Sequence, residues 1–241
     1  MKATTSKQAI FAGIAMLLLA LPAHASINKS VTIPDGGNST GESSVNGSLT
    51  IGDNATVTGN LSTVNGTIRI GSGAAIESAS TVNGSIRISD DARTEDLETV
   101  NGSIKLGERV AVSGSIEAVN GSISLDNGSS TTRSVENVNG DITLHASTIN
   151  GDITTVNGDI ELSDASTVTG NIRIEKPSGW GWNDDRKRNQ PKIVIGPGSR
   201  VQGKIILERE VKLYISESAE VGGVEGVMSM DDAVRFSGNR P

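Results

Sequence analysis

The chain contains no cysteine among its 241 residues. That excludes a disulfide framework, a thiolate metal site and lipid attachment through an N-terminal cysteine, and leaves packing and hydrogen bonding to hold the fold. Aromatic residues make up only 2% of the chain, so its core must be built from Ile, Val and Leu. Histidine occurs only as His24 and His145, which rules out a three-histidine zinc site within one chain. Beyond the first 25 residues no apolar run approaches the ~18 residues of a membrane-spanning helix.

Those first residues carry Lys2 and Lys7, an apolar run from Ala9 to Leu21, then Pro22 and Ala23-His24-Ala25. The pattern predicts a signal peptide over residues 1–25, with the mature chain starting at Ser26 and exported to the periplasm or the cell surface. Cleavage leaves 19 basic residues against 28 acidic ones, a net charge of −9, which disfavours a nucleic-acid partner.

The strongest positive signal is a tripeptide. Val-Asn-Gly, or once Ile-Asn-Gly, occurs eight times between Val45 and Gly158. Val45, Val64, Val82, Val100, Val119 and Val138 are 19, 18, 18, 19 and 19 residues apart, too short a period for a helical repeat and right for one coil of a β-solenoid. Within a coil, apolar residues alternate with polar ones, as at Ile104 and Leu106, and recur six apart, as at Val64, Ile70, Ile76 and Val82 or Ile195, Val201 and Leu207. The reading is therefore an all-β, single-stranded parallel β-helix with three short strands per 18–19-residue coil and those six-spaced residues facing inward. Nine or ten coils at ~4.8 Å each make a rod of ~45–50 Å.

The Asn-Gly pair is expected to mark a sharp corner that exploits the left-handed backbone tolerated by Asn and Gly. Asn65, Asn83, Asn101, Asn120 and Asn139 should then stack as an amide ladder. Ile149-Asn-Gly, off the main spacing, is read as a second corner of its coil. Residues 26–44 read as an N-terminal cap, 45–174 as solenoid repeats, 193–226 as final coils and 227–241 as a C-terminal cap and tail, with Met228, Met230, Val234 and Phe236 closing that end.

The pattern Val-Asn-Gly-(Ser/Asp)-Ile-x-(Ile/Leu), clearest at Val82 to Ile88, Val138 to Leu144 and Val156 to Leu162, resembles a bacterial β-strand-repeat family described as adhesin-like. The stretch from Ile193 through Gly226 resembles the bactofilins, polymer-forming solenoids. Both resemblances imply a right-handed solenoid.

One segment breaks the rhythm. Residues 175–192 carry Trp180 and Trp182 beside Asp184, Asp185, Arg186, Lys187 and Arg188, bracketed by Pro177 and Pro191. An inserted loop with stacking planes and charges suits an envelope glycan or a surface protein; the other reading is that the indoles fold back onto the solenoid wall as a plug. Trp180, Trp182, Asp184, Asp185, Arg186 and Arg188 are the candidate binding residues.

No catalytic residue, metal site or cofactor is expected. The coils are too small and plain for a polysaccharide-cleaving β-helix, and His145, the one histidine after cleavage, reads as an ordinary strand residue. Asp141, Asp152 and Asp159 follow Asn-Gly directly but lack the nonapeptide pattern of calcium-binding solenoids. The functional reading is an exported, non-catalytic β-solenoid that displays or binds. The alternatives are an envelope scaffold that self-associates end to end and, less favoured, a carbohydrate-active enzyme.

Overall fold

The computed structural model describes residues 27–177 and 190–241. Each run of the type Ile-x-Ile forms a three-residue strand with its flanking residues turned inward, as at Ile104–Leu106, where Ile104 and Leu106 are fully buried and Lys105 is exposed. The chain visits three sheets in turn. Sheet 1 has eleven strands, from Val31–Ile33 to Val234–Phe236; sheet 2 has ten, from Asn38–Ser39 to Glu220–Val221; sheet 3 has ten, from Glu42–Ser44 to Val224–Gly226. All their pairings are parallel, each strand lying between those one coil earlier and later, so that Ile68, Ile86, Ile104 and Ile123 form one column. The described residues thus make a parallel β-solenoid of about ten coils, as the periodicity predicts. Its core is a continuous aliphatic stack, with Met228 and Met230 packed against it near the C-terminal end.

Two details differ from the sequence expectation. Val64, Val82 and Val100 point outward and are only half-buried, while the residue before each, Thr63, Thr81 or Thr99, is buried. Alternation along the strand decides this: in Asp96–Asn101, Leu97 and Thr99 face inward, which turns Glu98 and Val100 out. The buried hydroxyls are satisfied by the previous coil, Thr63 Oγ1 donating to the Gly47 carbonyl at 2.9 Å, Thr81 to Gly66 at 3.1 Å and Thr99 to Gly84 at 3.0 Å.

The left-handed backbone also lies elsewhere. It occurs between sheets 1 and 2, where Asn54, Asp91 and Arg109 have φ of 55°, 61° and 54°, whereas among the glycines of the Val-Asn-Gly and Ile-Asn-Gly tripeptides only Gly140 enters that region. Glycine is needed at the Asn-Gly corner for close approach instead, because a Cβ on Gly102 would overlap the Gly84 carbonyl oxygen. Ile149, by contrast, falls in sheet 2 between Thr131 and Val168, so its Asn-Gly does occupy a second corner.

Ile142 stacks on Ile160, 18 residues later, but Ile160 stacks on Ile193, 33 residues later. The insertion leaves after the sheet 3 strand Ile172–Ile174 and returns before the sheet 1 strand Lys192–Ile195.

These contacts rank substitutions. Gly102→Ala is expected to destabilise by about 3 kcal/mol through overpacking, and Ile104→Ala by about 2–5 kcal/mol. Val100→Thr, on the half-buried face, should cost less than about 1 kcal/mol. Urea unfolding of the three variants checks the order, and a Val100→Thr loss as large as that of Ile104→Ala would contradict the outward placement.

Candidate functional site

The edge where sheet 3 turns into sheet 1 carries the most regular polar array of the molecule. Asn46 Nδ2 donates to Asn28 Oδ1 at 2.7 Å, and the pattern repeats from Asn65 to Asn46, Asn83 to Asn65, Asn101 to Asn83, Asn120 to Asn101, Asn139 to Asn120 and Asn157 to Asn139, at 2.7–3.0 Å. The ladder expected from the sequence is present and longer than the five rungs read there. From Asn46 to Asn139 each amide accepts from the later coil and donates to the earlier one, so these amide dipoles point the same way and polarise one another.

The ladder ends where the insertion leaves. In the strand register the coil after Asn157 has Lys176 in place of the asparagine, and the partner of the Asn157 amide is supplied from one coil further on by Arg209. Its guanidinium Nη1 lies 2.9 Å from Asn157 Oδ1 and 3.3 Å from the Val156 carbonyl. A cation at the oxygen-bearing end of the aligned amides complements their dipole, and burial lowers the pKa of Arg209. Around the insertion's exits, the Lys176 amide donates to Glu208 Oε2 at 3.2 Å and Gln190 Nε2 to Glu210 Oε2 at 3.2 Å. Trp180, Trp182, Asp184, Asp185, Arg186 and Arg188 lie outside the described residues.

The other polar residues singled out from sequence are engaged in stacking. The Asp159 amide donates to Asp141 Oδ1 at 3.2 Å, and Asp159 Oδ1 accepts from the Lys192 amide at 2.8 Å. Asp152 sits at a different corner and accepts from the Asn171 amide at 2.6 Å, so the three acids do not converge. Among the described residues no group of three or more His, Asp or Glu is placed to hold a metal ion. His145 meets a hydroxyl and a carboxylate on the same ring atom: Nδ1 is 3.2 Å from Ser163 Oγ and 2.7 Å from Asp164 Oδ2. A relay that activates a nucleophile needs those partners on opposite ring nitrogens.

Two features escaped the sequence reading. On the outer face of sheet 3, Glu98, Glu117 and Glu136 stack directly on one another. On the outer face of sheet 1, Arg69, Arg87 and Lys105 do the same. Aligning the coils on their Val-Asn-Gly valines would have exposed both columns, the acids two positions before Val100, Val119 and Val138 and the cations five after Val64, Val82 and Val100. The carboxylates face like charges. Glu117 is pushed up to about 7 by burial and then by Glu136, Glu98 and Asp96. Glu98 is raised by burial and Asp96, and Glu136 by burial above all, with Ser134 opposing through its hydroxyl and Glu175 and Asp152 adding to the rise.

The fold and this edge define the molecule as a parallel β-solenoid with an amide ladder interrupted by one insertion. The family model Toastrack DUF4097 matches residues 30–180, more than half of the chain, and the chain belongs to that family. Neither curated proteins nor solved structures give a match.

Because Glu117 binds its proton more tightly in the folded than in the unfolded chain, its contribution to stability is full below about pH 4.5 and lost as pH rises towards about 7. Allowing for solvent screening of a partly exposed group, the loss is about 1–2 kcal/mol. Urea midpoints should fall between pH 5 and pH 8 in the native protein, and the fall should shrink in Glu117→Gln. An unchanged pH dependence in that variant would assign it to other groups.

Proposed function

We infer that this protein is an exported, non-catalytic β-solenoid of the bacterial cell envelope or surface, a stiff rod that presents the 175–192 insertion to a partner. The observation that carries this reading is where the insertion joins the rod. It leaves and returns at the asparagine edge, where the ladder gives way to Arg209, while Asp141, Asp152, Asp159 and His145 are occupied in contacts between coils. A regular scaffold that confines its irregularity to one exposed edge fits display better than catalysis. The signal-peptide pattern of residues 1–25 supports export, and the adhesin-like repeat supports a binding role.

In this reading Trp180 and Trp182 supply stacking planes, and Asp184, Asp185, Arg186 and Arg188 the polar contacts, for an envelope glycan or a surface protein. Both tryptophans of the chain lie in the insertion, so intrinsic fluorescence reports on it alone. Titration with cell-wall glycan fragments, lipopolysaccharide and envelope extract should give a saturable shift that disappears in Trp180→Ala/Trp182→Ala. A flat response, with emission already blue-shifted, would make the insertion a plug and the protein a plain structural rod.

A bactofilin-like scaffold is the second reading. It is favoured by the edge strands at the two ends of sheet 1, Val31–Ile33 and Val234–Phe236, each with one sheet neighbour among the described residues, and by Val234, which is 55% exposed. Stacking of such ends through backbone and apolar contacts would persist at high salt.

A further inference from the structure

Among the described residues the two charge columns are each uncompensated, and they match one another. Arg69, Arg87 and Lys105 are exposed, and none of them takes part in an ion pair among the described residues. In sequence they are flanked by Thr67, Ser85 and Ser103 on one side and Gly71, Ser89 and Gly107 on the other, so nothing beside them in the strand carries charge. Among the described residues Glu98, Glu117 and Glu136 likewise form no ion pair, and Glu136 accepts a hydrogen bond from Ser134 Oγ at 3.2 Å. Both columns have three charges and both repeat at the strand spacing of ~4.8 Å. Stacking like charges at that distance works against the fold, yet each column is continued over three successive coils.

The outer face of sheet 3 is also suited to contact. Beside the glutamates runs a second column of half-buried valines, Val64, Val82, Val100, Val119 and Val138. Its longest strands, Ser78–Asn83 and Asp96–Asn101, have six residues, about 20 Å at ~3.3 Å each. The seven strands up to Ile153–Thr155 span ~34 Å at ~4.8 Å each. The other strands of this face are as short as three residues, and so are the sheet 1 strands that would lie opposite, Ile68–Ile70, Ile86–Ile88 and Ile104–Leu106. The narrower sheet 1 face, about 10 Å across, limits the contact to about 700 Å² counted over both molecules, the size of a weak, salt-sensitive association.

We propose that the rods associate side by side, the sheet 1 cation column of one molecule docking on the sheet 3 glutamate column of a second copy. The cations belong to the coils that begin at Arg69, Arg87 and Lys105, and the glutamates are displaced by one coil, Glu98 following Arg87 in its own coil. Parallel rods shifted by one coil therefore set Arg69 opposite Glu98 of a second copy, Arg87 opposite Glu117 and Lys105 opposite Glu136. Such a contact uses different faces on the two molecules, so each rod keeps one face free and assembly continues into a lateral array. The contact is independent of whatever the 175–192 insertion binds, and its salt sensitivity separates it from end-to-end stacking.

Sedimentation velocity of the mature protein at pH 8 tests it. At about 20 mM salt the mass should rise with concentration, and at about 0.5 M salt, where the Debye length shrinks to a few ångström, it should return to monomer. Arg69→Glu/Arg87→Glu/Lys105→Glu, on an exposed face, should abolish association while keeping the native circular dichroism melt. Glu98→Lys/Glu117→Lys/Glu136→Lys should also be monomeric alone, and an equimolar mixture of the two variants should associate again, since each then offers only one sign of charge. Should the lysine variant fail to fold, Glu98→Gln/Glu117→Gln/Glu136→Gln replaces it and should lose association. A native protein that stays monomeric at low salt overturns the proposal, as does association that survives in the sheet 1 variant. Retention of a monomeric native protein by polyphosphate would instead assign the cation column to a polyanion and equally overturn it.

Discussion

Everything in this molecule depends on parallel strands stacking in register, because that geometry sets each side chain against its counterpart one coil away at ~4.8 Å. A residue type therefore succeeds according to how well it tolerates its own neighbourhood. Isoleucine does well, and Ile68, Ile86, Ile104 and Ile123 form a fully buried column. Asparagine does well for a different reason: its amide is both donor and acceptor, so one rung completes the next without any second residue type. Glycine is retained at the asparagine corner because successive coils approach too closely for a Cβ. Carboxylates and cations tolerate self-stacking poorly, and the columns of Glu98 and Arg69 are where the repeat works against its own electrostatics.

The ladder is directional, and this links architecture to the site. From Asn157 back to Asn46 every amide donates towards the N-terminal end, so the array has an oxygen-bearing end that a cation can cap. Arg209 occupies that end across the coil from which residues 175–192 depart. The insertion thus enters where an amide rung is missing, and the array is closed by a long side chain that reaches across the gap. Placing an insertion at a corner leaves the strand pairings on either side intact, Ile160 still stacking on Ile193 and Ile172 on Ile205.

The solenoid spends its polar groups on holding coils together. Threonine hydroxyls bond the glycine carbonyls of the previous coil, and aspartates at the corners accept backbone amides of the next. What remains for contact with other molecules is carried by outward positions and by the insertion. Belonging to the Toastrack DUF4097 family accounts for the repeats over residues 30–180; the coils from Ile193 onward continue the same three sheets without a break in register.

The period of 18–19 residues, the three strands per coil, the aliphatic core, the asparagine ladder and the second corner at Ile149 were legible in the sequence, since each follows from a local pattern repeated in register. Residues 175–192 depart from that pattern in the sequence itself. Which way Val100 points was not legible: six-residue spacing and two-residue alternation disagree there, and packing of Leu97 and Thr99 into the core decides for alternation. Nor was the left-handed corner, for Arg109 and Asp91 give no local sign of it. The charge columns were hidden for a simpler reason: Glu98, Glu117 and Glu136 stand 19 residues apart along the chain, and only the winding of the solenoid makes neighbours of them. Sequence alone determined what repeats; the tertiary structure decided which side of the wall each repeat faces, because inward and outward are defined only once three strands close around a shared core.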